Sequence, residues 1–205
     1  RYEDAVQAVS DFIALVPESE GAYGNRGLAH MHLGDDDQAI QDFEMVLHLN
    51  QDDAMGYAML AEALRNQGRW EEALEAAVNA MELDDEVPEA YFVRGWLFAR
   101  AGQYAPACED LERFVEQIDE PGEGEDLLDA CRTLAEPGAV DDEGQPLDDP
   151  LERERFLRER GLSFDFDYNV DYDCEGLFCP YAHCIRNMPR RALEAAPACP
   201  LMGHE

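Results

Sequence analysis

The sequence predicts an all-α protein in which helical hairpins stack into a solenoid. Residues of three kinds recur every 34 positions: Ala5, Ala39, Ala73 and Ala107; Gly34, Gly68 and Gly102; and Tyr23, Tyr57 and Tyr91. Between them, apolar residues follow the spacing of a helix, as in Ala73, Leu74, Ala77 and Met81. A repeat of this length holds one hairpin, and a single hairpin buries its apolar face only by stacking on its neighbours.

Two helices are expected in each repeat. The pattern predicts first helices, here called first-type, at about 20–33, 54–67 and 88–101, and second-type helices at about 2–15, 37–49, 71–83 and 105–118. Small residues at Gly27, Ala61 and Gly95 allow the two helices of a hairpin to approach closely. The amphipathic segment from Asp126 to Leu134 predicts a closing helix.

These residues resemble the tetratricopeptide repeat (TPR) family over positions 2–121, about three and a half repeats. The segment Tyr23-Gly24-Asn25-Arg26-Gly27 reads as the start of a first helix, Gly34 as the turn, and Ala39, Ile40 and Phe43 as the second helix. The family's closing proline is kept at Pro17 and replaced by Gln51, Asp85 and Asp119. The resemblance implies a right-handed solenoid that binds other polypeptides.

Composition divides the chain into three parts. The repeats and closing helix occupy 1–136, an acidic Pro/Gly linker 137–150, and a small irregular Cys-containing extension, which resembles no family, 151–205. The net charge is −32, and every basic residue is Arg. Nucleic acid and anionic membranes are therefore poor partners. Divalent cations such as Ca²⁺ would offset the charge, and a salt-adapted acidic surface is the alternative.

In the resembled family the first-type helices line an inner surface. Here it would carry Leu28, Met31, His32, Met55, Glu62, Arg65, Phe92, Trp96 and Arg100, a mixture of apolar anchors and some positive charge that suits a partner peptide or helix. Some relatives clamp a terminal carboxylate, and Asn25 and Arg65 match such a set only in part because the chain has no Lys. Alternatively, Phe92 and Trp96 pack on the chain's own C-terminal segment.

The array opens with half a repeat, which leaves Ala5, Val9 and Phe12 on an uncovered flank. Such an end favours head-to-tail association with further copies, which propagates as a filament. The alternative is that a preceding helix has been cut away.

Six cysteines allow two interpretations. Cys108 and Cys131 lie on neighbouring antiparallel helices, where a disulfide is geometrically feasible. The others either form disulfides or bind Zn²⁺ together with histidines: Cys174, Cys179, Cys184, Cys199, His183 and His204. Disulfides would indicate an oxidising compartment. Because the chain begins at Arg1 rather than Met, we expect either that a leader was removed or that the sequence is incomplete.

Two acidic clusters are candidate Ca²⁺ sites. The alternating segment with Asp165, Asp167, Asn169, Asp171 and Asp173 predicts a strand with oxygen ligands on one face. Alternatively that face is solvated and pairs with Arg153, Arg155, Arg158 or Arg160. In the second cluster, Asp35-Asp36-Asp37, Asp36 stands where other repeats have an aromatic residue; a solvated helix N-cap is the alternative.

The sequence contains no recognisable catalytic motif, so we expect a non-enzymatic interaction scaffold. One hypothesis is a secreted protein that assembles with itself into a filament or tube held by disulfides and Ca²⁺. The other is an intracellular adaptor that docks a partner peptide in its groove and carries a zinc-bound C-terminal module.

Overall fold

The computed structural model describes residues 1–162 and 164, and over this part the protein is all-α. Its helices there are α1 Tyr2–Leu15, α2 Glu20–Leu33, α3 Asp36–Leu49, α4 Ala54–Asn66, α5 Trp70–Leu83, α6 Pro88–Arg100, α7 Tyr104–Gln117, α8 Glu123–Ala135 and α9 Pro150–Glu159. The chain forms two compact units, Arg1–Arg94 and Gly95–Glu205. None of the helices in the described part is long and apolar enough to span a membrane.

The predicted helices are confirmed. The first seven begin and end within one residue of the expected positions, and α8 begins three residues before the predicted closing helix. Each first-type helix ends at or just before a repeated glycine. Gly34, Gly68 and Gly102 adopt φ angles of 73–76°, a left-handed backbone that cannot continue the helix. At α2 this left-handed turn lets the amides of Gly34 and Asp35 donate to the carbonyls of Met31 and His30.

Successive helices pack as antiparallel neighbours within the first unit, α1 on α2 through to α4 on α5, and α7 packs on α8 in the second unit. Close packing depends on a match of side-chain sizes. Gly27 faces the ring of Phe43, and a Cβ placed on Gly27 would lie 2.8 Å from Phe43 Cε1. At the equivalent positions the next repeat has Ala61 and Ala77, which are both buried. The residue on the first helix is thus larger there than Gly27, and the residue on the second helix is smaller than Phe43.

We therefore expect Gly27→Ala to destabilise the first repeat by about 1–3 kcal/mol through overpacking. Gly24→Ala on the same helix is the matched control, since its Cβ would make only an ordinary contact, 3.9 Å from Val46 Cγ2. That control should gain up to about 1 kcal/mol from helix propensity. Urea unfolding followed by circular dichroism compares the two, and an equal effect of both substitutions would contradict the size match.

The acidic stretch predicted as a linker forms a compact turn in the second unit. Ala139 and Leu147 are buried, and the Asp141 carboxylate accepts hydrogen bonds from the amides of Glu143 and Gln145. Arg160, just beyond the end of α9, pairs with Asp142 at 2.8 Å. The Arg160 guanidinium thus offsets one of these negative charges in the described structure.

Helix α9 was missed by the sequence analysis, which placed 151–160 in an irregular extension. Its start nevertheless carries a clear signal. The Asp149 carboxylate accepts from the amide of Leu151 at 2.7 Å, and Pro150 occupies the first turn. An Asp cap followed directly by Pro is a typical helix N-terminus.

Candidate functional site

The inner surface of the first two repeats exposes apolar side chains on α2 and α4, which are in contact with each other. Leu28 is 39% exposed and Met55 45% exposed. Met31 and Met59 are half-buried beside them, three and four residues along the same helices. Because residues at these spacings share a helix face, the four form one apolar surface, here called the inner patch: Leu28, Met31, Met55 and Met59.

Aromatic and cationic groups of the first unit stand among the predicted inner-surface residues. Tyr2 stacks on His32 with ring centroids 4.5 Å apart, and the Arg65 guanidinium lies 5.3 Å from the centre of the Phe92 ring. Asn25, the other candidate for a carboxylate clamp, is exposed. Flat rings and a guanidinium provide surfaces on which a partner's side chains can stack.

The exposure of equivalent inner positions falls along the array. Trp96 lies 68 positions after Leu28, at the same place in the repeat, yet it is only 7% exposed. In the second unit the Phe164 ring meets the Trp96 ring edge-on, with centroids 5.0 Å apart. For Trp96 the structure thus supports packing on the chain's own C-terminal segment, and Trp96 is not open to a partner as the groove prediction required. Arg100, in the last turn of α6, is half-buried.

The buried polar centre of the first repeat is an ion pair. The Arg26 guanidinium donates through Nε and Nη2 to the two carboxylate oxygens of Asp42, at 2.9 and 2.6 Å, and through Nη1 to Ser10 Oγ at 3.1 Å. Asp42 is 3% exposed, and its hydrogen bonds raise the pKa of Arg26. This network joins α1, α2 and α3, and so fixes the helix that carries Leu28 and Met31.

The carboxylates of Asp35 and Asp37 have separate neighbours, whereas Asp36 Oδ1 is buried without a hydrogen-bond partner. Asp35 Oδ2 lies 3.7 Å from His30 Nδ1, and Asp37 accepts from Gln67 Nε2 at 2.6 Å. Asp35 occupies the N-cap of α3 but makes no side-chain cap hydrogen bond. Within residues 1–162 and 164, no group of three or more Asp, Glu, His or Cys is placed to hold a metal ion. Ca²⁺ at this turn stays a prediction.

Several predicted sites fall outside the described residues. These are the alternating acidic strand, Asp165, Asp167, Asn169, Asp171 and Asp173, and the disulfide or zinc set, Cys174, Cys179, His183, Cys184, Cys199 and His204. Two of the arginines suggested as partners of the acidic strand have acidic neighbours among the described residues. Arg155 lies 3.1 Å from Glu152 and 3.6 Å from Asp141, and Arg158 pairs with Glu154.

Cys108 and Cys131 are free thiols in the structure, so the predicted bridge between α7 and α8 is not formed there. Burial raises the pKa of both thiols, most strongly that of the fully buried Cys131. A protonated, inaccessible thiol reacts slowly.

We expect iodoacetamide to label Cys108 in the folded protein and Cys131 only after unfolding, because Cys131 is both buried and protonated. Peptide mapping by mass spectrometry, without reductant, measures this. Detection of a disulfide-linked pair of peptides containing Cys108 and Cys131 would show that the bridge forms and would contradict this prediction.

The first helix lacks the cover that its equivalents have. Phe12 is 49% exposed, whereas Val46, at the same place one repeat later, is 3% exposed. Ala5 and Val9 are half-buried, while Ala39 and Phe43 at the equivalent places are buried. Phe12 is therefore an exposed apolar residue on α1, and its part in an assembly end stays a prediction.

The last hairpin of the array is acidic. Helices α7 and α8 line a cleft of about 610 Å³ with five carboxylates and Arg132, which pairs with Glu112 at 2.9 Å. The acidic residues are Glu112, Glu116, Glu125, Asp126 and Asp129. Because the exposed part of α1 also carries Glu3, Asp4 and Asp11, a head-to-tail contact would bring like charges together.

Comparison with known proteins identifies the repeat. Residues 21–53 and 58–121 each match a family model described as tetratricopeptide repeat. A small glutamine-rich tetratricopeptide repeat-containing protein 2 of Saccharomyces cerevisiae is 34% identical over 90 residues, which is 43% of this chain and 26% of the relative. Its namesake from Mycosarcoma maydis is 32% identical over 83 residues, 40% of this chain and 24% of the relative. The chain thus spans about a quarter of these relatives.

Solved structures share the fold. A thermophilic TPR protein of Thermus thermophilus has a TM-score of 0.56 at 20% identity, covering 64% of this chain and 73% of that one. MamA gives 0.52 at 20% identity, covering 65% and 84%. The TPR2B domain of yeast Sti1, solved as a complex with pHsp70, gives 0.50 at 21% identity, covering 55% and 95%. At these identities the likeness shows the fold alone.

Proposed function

We propose that this chain, whose residues 21–53 and 58–121 belong to the tetratricopeptide repeat family, is a non-enzymatic adaptor that binds a segment of a partner polypeptide on its inner patch. The family is a protein–protein interaction fold, and its solved relative from Sti1 was captured in a complex with pHsp70. The observation that carries the proposal is the exposure of Leu28 and Met55 on two neighbouring first-type helices.

The chemistry of the inner patch indicates what kind of segment it takes. Three of its four residues are Met, whose flexible thioether side chains adapt to differently shaped apolar partners. Leu28 adds a branched anchor beside them. The net charge of −32 attracts positive charge in the partner and speeds encounter. The preferred segment therefore carries large apolar side chains flanked by Lys or Arg.

Selection from a random peptide library displayed on phage tests this proposal. With the full chain as bait, we expect enrichment of peptides that combine Leu, Met or aromatic residues with flanking Lys or Arg. Elution with about 0.5 M salt should release them because surface electrostatics are then screened. Failure to enrich any sequence, or the same enrichment on a Leu28→Asp/Met55→Asp bait, contradicts the proposal.

The self-assembling filament is the second candidate, and the exposed Phe12 on α1 favours it. Two observations speak for the adaptor instead: the carboxylates near both α1 and α8, and the free thiols of Cys108 and Cys131. Free thiols accord with a reducing, intracellular setting, which is part of the adaptor proposal. Sedimentation velocity with and without Ca²⁺ separates the two candidates, since only the filament predicts concentration-dependent growth.

A further inference from the structure

Helix α1 carries a stripe of apolar residues on a face that does not pack on α2. Helix α2 meets another face of α1, where Arg26 donates to Ser10 Oγ and Ile13 is buried. Phe12 in the stripe is 49% exposed and Leu15 is 82% exposed. The stripe, here called the α1 stripe, consists of residues that follow one another at intervals of three, four and three positions: Ala5, Ala8, Phe12 and Leu15.

The equivalent face of the next repeat shows what covers such a stripe. Phe12 has the place of Val46 on α3, which is only 3% exposed because α3 is packed between α2 and α4. Gly24 of α2 faces Val46, with 3.9 Å between an ideal Gly24 Cβ and Val46 Cγ2. Gly27 of α2 faces the ring of Phe43. At this place in the repeat, a helix with small residues thus packs against the apolar face.

The spacing of the α1 stripe also fits a helix. Apolar residues at alternating intervals of three and four, the a and d positions of a heptad, pack into the gaps between the side chains of a second helix. The small residues Ala5 and Ala8 let that helix approach closely near the start of α1. The larger Phe12 requires a small side chain opposite it, as Phe43 requires Gly27.

Carboxylates line one edge of the α1 stripe. Asp4 and Asp11 are seven positions apart, and each directly precedes a stripe residue, so both lie on the same edge of the helix. The Asp4 side chain is 96% exposed, and the exposed Asp11 accepts from Gln7 Nε2 at 2.9 Å. Charges that flank the apolar seam of paired helices select the partner through ion pairs between the helices. Lys or Arg on the facing edge of the occupant would complement these two carboxylates.

A second copy of the chain does not supply that complement through its own α1. Two α1 helices packed antiparallel would set Asp4 and Asp11 of one copy against the same residues of the other, and like charges in such positions repel. Packed parallel, the two carboxylates would face Val9 and Val16, which offer no positive charge. The edge therefore favours a helix from a different, basic polypeptide.

We propose that the α1 stripe docks an amphipathic helix of a partner polypeptide. That helix carries small side chains opposite Phe12 and Lys or Arg along the edge that faces Asp4 and Asp11. The α1 stripe and the inner patch lie on different helices, and this second surface does not rest on the proposed function.

A display library of helical peptides tests the charge preference. Its members share a frame of about four heptads, in which a and d vary among Gly, Ala, Val and Leu, and the flanking e and g positions vary among Glu, Gln, Lys and Arg. With the full chain as bait, we expect Lys and Arg to be enriched over Glu at the flanking positions. Glu should be enriched on an Asp4→Lys/Asp11→Lys bait relative to wild type. No enrichment, or the same preference on both baits, overturns the inference.

The affinity of a selected helical peptide, measured by fluorescence polarisation, provides the second readout. Phe12→Asp should weaken binding by at least about tenfold, because it places a carboxylate in the apolar seam. The matched control is Ala14→Asp, which adds the same charge to an exposed position on the other side of α1 and should leave the affinity unchanged. Should Phe12→Asp lower the folded fraction seen by circular dichroism, Leu15→Asp takes its place. An equal loss in Ala14→Asp overturns the inference.

Other occupants of the α1 stripe are tested with the same variants. Dimers that grow with concentration in sedimentation velocity and disappear in Phe12→Asp would assign the stripe to a second copy and overturn the inference. Binding to vesicles of phosphatidylserine and phosphatidylcholine that is lost in Phe12→Asp would assign it to a membrane, with the same consequence. Leu28→Asp/Met55→Asp should still bind the helical peptide, and a loss of affinity there would show that the peptide occupies the inner patch instead.

Discussion

Asp42→Ala is expected to lower the free energy of unfolding by about 3 kcal/mol, the lower end of the range for removing one member of a buried ion pair. The lower end applies because the Arg26 side chain keeps 23% of its surface in water, while the Asp42 side chain is 5% exposed. The substitution leaves a guanidinium that has lost both oxygens of its bidentate partner. Urea unfolding followed by circular dichroism measures the loss.

The next repeat suggests a second substitution that should compensate for Asp42→Ala. At the positions of Arg26 and Asp42, the next repeat has Leu60 and Ala76, an apolar pair. Arg26→Leu/Asp42→Ala should therefore be more stable than Asp42→Ala alone by at least about 1 kcal/mol, because no buried charge is left uncompensated. A double variant that loses the sum of the two single effects would show that the pair is not coupled.

Leu28→Asp and Met55→Asp are each expected to weaken binding of a library-selected peptide by about tenfold or more, and the double variant by about a hundredfold. Each substitution removes an apolar anchor of the kind that contributes about 1–3 kcal/mol, and places a carboxylate against the partner's apolar side chain. Isothermal titration calorimetry on folded variants measures the affinities. Stability should change little, because both side chains are already exposed.

Leu83→Asp is the matched control for charge and exposure. Leu83 is 43% exposed, close to the 39% of Leu28, but it is the last residue of the second-type helix α5. Its substitution adds the same negative charge to the same unit, so any loss of affinity through overall charge alone appears here too. An equal loss of peptide affinity in Leu83→Asp would show that the added charge, and not the inner patch, accounts for the effect.

The repeats were predictable because their signal is redundant. Ala39, Ala73 and Ala107 are all fully buried, and Gly34, Gly68 and Gly102 all need the left-handed backbone, so each repeat confirms the register of the others. The exposed inner residues Leu28 and Met55 followed from that register together with the family resemblance.

The features that could not be predicted occur only once in the described structure, so no repeat of the pattern supports them. Helix α9 has ten residues and no repeat to support it, although Asp149-Pro150 marks its start. The contact of Phe164 with Trp96 joins residues 68 positions apart and has no periodic trace. The Arg26–Asp42 pair was also missed, since a charged residue on an otherwise apolar helix face reads as surface until its partner is known.

Photo-crosslinking tests most directly whether α2 and α4 receive the partner. A library-selected peptide carrying a diazirine analogue of leucine at its apolar anchor is irradiated with the full chain, and the linked residues are identified by mass spectrometry. The account predicts links to α2 and α4, around Leu28 and Met55, that disappear with excess unlabelled peptide. Links confined to α3 and α5, or to the acidic cleft of α7 and α8, would contradict it.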